Sequence, residues 1–324
     1  MNDDPQRCAW IAGLAPVSRT VRLRVQVVDP AQLGPFMGAT LHGALGRALS
    51  RIKVGLETWM LPLPAPAHAP SFVRASPPAP VVIVPPAFGS ASRLRPGDEL
   101  ELGFVLLGPA ATGALVFFDA VGWMAERGLG PRRARLRILD AWLGGRRAGH
   151  RRVAAASEPE RDPPASLWPP DPPCEPGGAR AQLRLRTRTP LHLRENGKLV
   201  ARPSAADVVR AAVRRLLALA WTFGAPVEGL DTGGRELVAA ARALGADGSR
   251  DAEPGDGGTH WKRWTGRRWS GRQEQRHPLE GVVGELALGE VPDWALTALR
   301  CARRFGVGKG PSLGLGHYEL VEAS

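Results

Sequence analysis

Cysteine is scarce in this chain: Cys8, Cys174 and Cys301 are the only three in 324 residues, with no Cys-x-x-Cys pair and no His/Cys ligand spacing. That excludes a disulfide scaffold and argues against a zinc site. Lysine occurs at four positions, 53, 198, 262 and 309, and tyrosine once, at Tyr318. No Asp-x-Asp or dense acidic cluster supplies the carboxylates of a two-metal nuclease site. No apolar run reaches membrane-spanning length. The first residues, Met-Asn-Asp-Asp-Pro, lack the basic segment and apolar core of a leader. The expectation is a cytoplasmic protein with no membrane partner, no metal and no cofactor.

What is abundant is arginine. Lys and Arg together number 43 against 31 acidic residues, a net charge of +12. Arginine's planar fork suits bidentate contact with phosphate and stacking on bases. A GC-rich genome would explain Arg over Lys, but not the net positive excess. The excess is spread over both halves of the chain, as expected for a track along a polyanion. At 324 residues and 44% apolar, the chain is long enough for two domains with proper cores.

The most distinctive stretch is the last one: Gly306-Val-Gly308-Lys309-Gly310-Pro-Ser312-Leu-Gly314-Leu-Gly316, followed by His317 and Tyr318. Glycine lets backbone lie directly against a ligand, and successive exposed amides form an anion-binding concavity. Gly308, Lys309, Gly310, Ser312 and Gly314 are therefore candidate phosphate-backbone contacts; the competing reading is a plain flexible connection. A P-loop is excluded, because it needs Ser or Thr after Gly-Lys and lies between a strand and a following helix. Here the order is helix, loop, strand, which also excludes the dinucleotide fingerprint.

Taken in order, the chain repeats one pattern. Val21 to Val28 alternates as a strand, and Leu41, Leu45, Leu49 and Ile52 mark one face of a helix. Strands follow at Pro80–Pro85 and Glu99–Leu107. A helix over Ala111–Arg127 comes next, with Leu115, Phe118, Val121 and Ala125 inward, then a strand from Ala134. After a Pro/Gly/Arg-rich stretch the order returns: a strand at Gln182–Thr189, a helix capped by Ser204, a hairpin of Trp261–Trp269 with Leu279–Leu288, a helix over Pro292–Arg304, the glycine loop and a last strand. A helical piece around Arg235–Leu244 is an insertion. The expected fold is α+β, two tandem ferredoxin-like (β-α-β-β-α-β) domains. Their expected bounds are 1–142 and 181–324, joined by a linker over 143–180.

Tandem units of this kind with such a loop resemble the RAMP proteins of CRISPR systems, and within them the endoribonucleases that process precursor CRISPR RNA. The likeness rests on Gly38-Ala-Thr-Leu-His42-Gly-Ala-Leu-Gly46, Arg127-Gly-Leu-Gly-Pro-Arg132, Thr189-Pro-Leu-His192-Leu-Arg194, Trp269-Ser270-Gly-Arg272-Gln273 and the loop ahead of Tyr318. It implies CRISPR repeat RNA as partner, with other CRISPR effector subunits besides. It also places a catalytic histidine at His42, and puts His192 where relatives often have arginine. Many relatives carry a cysteine cluster after the first helix. Residues 54–79 have none, so any metal held there is not carried over.

Cutting RNA without a metal requires a base for the 2′-OH proton, an acid for the leaving 5′ oxygen and cations around the phosphorane; the products are a 2′,3′-cyclic phosphate and a 5′-OH. Histidine suits both proton roles. Of seven histidines, His42 is the candidate base, and His317 a second acid/base group or a strand residue beside bound RNA. Lys53, about 16 Å along the helix from His42, reads as groove lining. His192 and Arg194 read as phosphate contacts. In the hairpin, Trp261, Trp264 and Trp269 interleave with Lys262, Arg263, Arg267, Arg268 and Arg272, giving candidate stacking and phosphate contacts. Alternation also allows tryptophans facing a core. Two functions stay open: a processing endoribonuclease, or an inert RAMP protein that binds or caps guide RNA. A nucleotide-binding enzyme unrelated to RNA is remote.

Overall fold

The protein was analysed as a computed structural model that describes residues 5–53, 55–65, 67–74, 77–144, 146–147, 183–224, 229–244, 259–270 and 275–322. The chain starts with α1 (Pro5–Gly13) and runs through β1 (Ser18–Val27), α2 (Gly38–Ile52), β2 (Val81–Val84), β3 (Glu99–Leu107), α3 (Ala114–Arg127) and β4 (Leu136–Leu143). It continues with β5 (Leu183–Thr187), α4 (Ala205–Phe223), α5 (Leu230–Ala243), β6 (His260–Ser270), β7 (Gln275–Ala287), α6 (Asp293–Ala302) and β8 (Tyr318–Glu322). The first sheet has the order β2-β3-β1-β4, with the short Arg146–Arg147 segment on its outer edge. The second has the order β6-β7-β5-β8. All pairings are antiparallel. Both orders are the ferredoxin-like arrangement, so the fold is two tandem β-α-β-β-α-β units. The expected linker falls almost wholly outside the described residues.

Local chemistry sets the element ends. Ser204 caps α4 through a capping box. Its Oγ accepts from the Asp207 amide at 3.3 Å, and Asp207 Oδ2 accepts from the Ser204 amide at 3.0 Å. In β1, Val21, Leu23 and Val25 are buried while Arg22 and Arg24 lie at the other face. Arg24 is held there by Asp140 at 2.5 Å and Glu99 at 3.6 Å.

Two cores result. The first packs α2 and α3 on one face of the first sheet, through Leu41, Leu45, Leu49, Phe104, Phe117 and Val121. The second belongs to the C-terminal sheet and α4, yet it also takes in Val82, Val84, Val105 and Leu107 from the other face of the first sheet. This explains the unbroken apolar run Val-Val-Ile-Val in β2, because a strand covered on both faces has no polar side to present. Each such side chain contributes about 1.5–3 kcal/mol by leaving water, so the two units are fastened by a shared core.

The inward faces expected from the sequence need correction in two helices. Ile52 is 36% exposed and Leu115 is 73% exposed. The second helix breaks at Gly113 into Pro109–Thr112 and Ala114–Arg127. Phe118, Val121 and Ala125 are buried as expected, and Phe117 and Met124 join them in the core while Leu115, in the first turn after the break, faces outward. α1, which lies in the stretch expected to join the first unit, packs on α6, and its Cys8 and Ile11, with Leu14 just past its end, belong to the C-terminal core. Among the described residues no helix is long and apolar enough to cross a membrane.

The tightest junction is at the start of α2. A side chain on Gly38 would run into the carbonyl of Leu313 in the glycine loop and the ring of Phe36, whereas the same position on Gly46 is open. In an ordinary helix, Gly→Ala stabilises by up to about 1 kcal/mol. Gly46→Ala is expected to follow that rule. Gly38→Ala is expected to destabilise by roughly 1–3 kcal/mol, as overpacking does. Chemical denaturation of both variants checks the pair, and equal stabilisation would contradict the close approach.

Candidate nucleic-acid interface

The glycine loop is pinned along its length. Lys309 donates its amide to the His192 carbonyl at 2.9 Å, Val307 to Gly316 at 3.0 Å, Leu315 to Gly310 at 3.1 Å and Gly316 to Pro190 at 3.0 Å. Gly314 donates to Pro311 at 2.9 Å. Among the described residues, the amides of Gly308, Gly310 and Ser312 have no backbone partner. Of the five expected phosphate contacts, Lys309 and Gly314 have their amides engaged, to His192 and Pro311. Gly316, at φ 85°, lies against the backbone of Val307, where a Cβ has no room. The Lys309 side chain is exposed and Ser312 is half-buried.

Beside the loop a group of polar side chains gathers around one carboxylate. Glu280 accepts from Arg263 at 3.0 Å and Arg194 at 3.2 Å, and lies 3.8 Å from His192 Nε2. Arg194 Nε donates to His192 Nε2 at 2.9 Å, which makes that nitrogen the acceptor. Burial holds the His192 pKa below its ordinary value, and the charges of Arg194 and Lys309 add to this against the pull of Glu280. Burial alone would push Glu280 up; the Arg263 hydrogen bond and the charges of His192 and Arg194 outweigh it, leaving the carboxyl below its usual range. Three of the expected RNA contacts, His192, Arg194 and Arg263, are thus neighbours around Glu280, and the charge of Lys309 reaches His192.

His42 lies in another place. It sits one step round α2 from the buried Leu41, and its Nε2 is 3.3 Å from the carbonyl of Met60. A carbonyl only accepts, so Nε2 carries the proton and Nδ1 keeps its lone pair. Burial lowers its pKa to about 4, against the raising effect of the Met60 carbonyl and helped by the charge of Arg268. Arg268 is itself held below its ordinary value by burial. Directly opposite Arg268 in the β6–β7 ladder is His277. Directly opposed residues share a face of the ribbon, and the His277 Nε2 is buried without a partner among the described residues. Nothing in the sequence marks His277 beyond its place at the end of the hairpin; the register alone sets it beside Arg268.

The hairpin therefore has two faces. Trp264 and Leu279 point to the first domain, where Trp264 meets Phe36 edge-on at 5.2 Å and Phe88 at 5.8 Å. Arg268, two pleats on, follows them towards His42. Arg263 and Arg267 are exposed on the opposite face. Trp264 is thus a packing residue, and Trp261 donates Nε1–H to the Pro203 carbonyl at 3.1 Å. Lys53 is exposed just past the end of α2. Arg272 lies outside the described residues.

His317 is placed unlike an acid/base group. It is 3% exposed, its Nε2 donates to the Ile83 carbonyl at 2.8 Å, and its amide donates to Thr189 Oγ1 at 2.9 Å. Burial lowers its pKa to about 4, with the Ile83 carbonyl opposing and Arg188 and Arg215 contributing. A ring enclosed in this way cannot reach a substrate, which corrects the expectation of a second catalytic histidine there.

Residues 185–318 match a family model described as CRISPR-associated endoribonuclease Cas6, and residues 15–164 match one described as an N-terminal domain. Among solved structures, a Cas6 of Thermus thermophilus is similar at 14% identity and a TM-score of 0.50, over 95% of this chain and 99% of that one. A chain of a partial Cas6-RT-Cas1–Cas2 complex is similar at 11% identity and a TM-score of 0.51, over 95% of this chain and 46% of that one. At such identities these likenesses concern the fold. No curated protein matches the sequence.

His42 and His317 are neutral when folded down to about pH 4, whereas in an unfolded chain they take up protons below about 6.5. Between those values the unfolded state binds more protons, so stability falls as pH falls, by up to roughly 3 kcal/mol per histidine. Urea unfolding at pH 7, 5.5 and 4 is expected to show this loss, and His317→Gln, whose amide still donates to Ile83, a shallower one. Proton NMR should give both rings midpoints near 4. Midpoints near 6.5 would mean that the rings are open to water.

Proposed function

We propose that this chain, whose residues 185–318 match the family model of the Cas6 CRISPR-associated endoribonucleases, binds CRISPR repeat RNA and cuts it by metal-independent attack of a 2′-OH on the neighbouring phosphate. The observation that carries the reading is the convergence of His42, Arg268 and His277 on one side of the hairpin. His42 is neutral at physiological pH with Nδ1 unprotonated, the state a general base needs. It takes the 2′-OH proton at Nδ1, held in that tautomer by the Met60 carbonyl. Arg268, poorly solvated and close to His42, stabilises the charge that develops on the phosphorane. His277, when protonated, donates from Nε2 to the departing 5′ oxygen. The 2′-O–P bond forms as the P–O5′ bond breaks, leaving a 2′,3′-cyclic phosphate and a 5′-OH.

The second basic group, Lys309, Arg194 and Arg263 with His192 and the amides of Gly308, Gly310 and Ser312, holds RNA backbone away from the cut. Arg267 and Lys53 line the track, and His317 fastens the domains. Other CRISPR proteins are partners by the same family match. The rival reading, an inert protein that binds or caps guide RNA, is favoured by the low pKa of His42, about 4, which lies well below the value that best suits a general base.

Incubation with the host repeat RNA in EDTA separates the two. Wild type is expected to give one cut ending in a cyclic phosphate. His42→Ala and His277→Ala should lose at least about 100-fold in single-turnover rate while still binding, the size of a proton-transfer contribution. A substrate with a bridging 5′-phosphorothiolate, whose leaving group needs no proton, should restore His277→Ala and not His42→Ala. Tight binding without any cut would establish the guide-RNA holder instead.

A further inference from the structure

A pocket of about 270 Å³ opens beside Lys309, between α4 and residues 192–197. It is far larger than one ion requires and close to the lower end of pockets that hold small ligands. Its wall carries five cationic side chains, Arg194, Arg210, Arg214, Arg215 and Lys309, against a single carboxylate, Asp207. That carboxylate is already committed: it closes the cap of α4 and accepts from Arg210 at 2.8 Å. Glu195, at 3.2 Å, takes the rest of Arg210.

The surplus lies with the two remaining arginines of α4. Arg214, four residues on from Arg210, shares its helix face. Its pKa is lowered first by burial and then by the charges of Arg210 and Arg242. Arg215 is 7% exposed, and its Nη2 donates to the Phe305 carbonyl at 3.3 Å. Its Nε is buried with no partner among the described residues. A buried guanidinium donor without an acceptor is costly unless something supplies one, and a cluster of like charges calls for an anion. Apart from His192 and the backbone of Gly197 and Gly308, the rest of the wall is apolar: Phe72, Leu193, Ala211 and Ala218.

We propose that this pocket is a binding site for the phosphate of a single nucleotide, with Arg214 and the Nε of Arg215 as its donors and Phe72 and Leu193 against the sugar or base. Guanidinium forks match phosphate oxygens bidentately, and a wall that is charged at one side and apolar at the other fits a nucleotide better than a bare ion. The phosphate comes either from the RNA chain or from a free nucleotide. Binding here does not rest on the cleavage reading.

Calorimetric titration of the full chain with 5′-AMP at physiological salt tests it. Saturable one-to-one binding is expected, with none for adenosine. Two variants are compared: Arg214→Gln, which removes a donor, and Ala211→Trp, which fills the pocket without changing a charge. Each should weaken binding tenfold or more. No saturable binding, or binding in Ala211→Trp equal to wild type, would overturn the proposal. Addition of repeat RNA made uncleavable by a 2′-deoxy sugar then identifies the source. Displacement of AMP assigns the site to RNA backbone, and a ternary complex assigns it to a free nucleotide. AMP binding is read without cleavage, so failure here leaves the endonuclease reading intact, and failure to cut leaves the pocket intact.

Discussion

A hydrogen bond from His317 Nε2 to the carbonyl of Ile83 joins the end of the glycine loop to the edge strand of the first sheet. Around it, Phe88 donates its amide to the Arg188 carbonyl at 2.7 Å, and Leu313 lies on Gly38 with no space between. The bond alone is worth on the order of 1 kcal/mol, but losing it would leave a buried carbonyl unpaired at a further cost of about 1–3 kcal/mol. With the shared apolar core of Val82, Val84, Val105 and Leu107, it fixes the loop against α2. That orientation lets a hairpin of the second domain lie over a helix of the first. Arg268 meets His42 only because the two sheets are held at this junction.

The same constraint divides the positive charge. Alternation along β6 sends Arg268 to one side and Arg267 to the other, although they are adjacent in sequence. On the His42 side Arg268 is half-buried, which suits stabilising charge at one reacting phosphate. On the Lys309 side the cations are partly exposed and grouped about Glu280, which keeps them apart and oriented rather than neutralising them. An RNA chain crossing from one side to the other would be cut on the first and held on the second.

Much of the fold was legible because its strands are bounded by prolines and glycines, its helices keep an apolar face, and α4 carries a clear cap in Ser204 with Asp207. The doubled β-α-β-β-α-β order follows from those limits. What was not legible depends on partners distant in sequence. α1 shows little pattern by itself, since Cys8, Ile11 and Leu14 become a face only against α6. His317 reads as the end of a loop, and its burial is decided by Ile83, 234 residues away. The hairpin's alternation announces two faces but not which one meets α2, so His277 passed as a bracket to the tryptophans. The loop's five glycines suggested a phosphate cradle; most of its amides turned out to hold the loop itself.

The central claim is that the reacting phosphate lies on the His42 face of the hairpin. The direct measurement is a crystal structure with repeat RNA carrying a 2′-deoxy sugar at the cut. The account predicts the scissile phosphate at Arg268, with His42 Nδ1 within hydrogen-bond reach of the 2′ position and His277 Nε2 near the 5′ oxygen. A scissile phosphate seated on Lys309 and Arg194 instead, with His42 still closed against Met60, would contradict it.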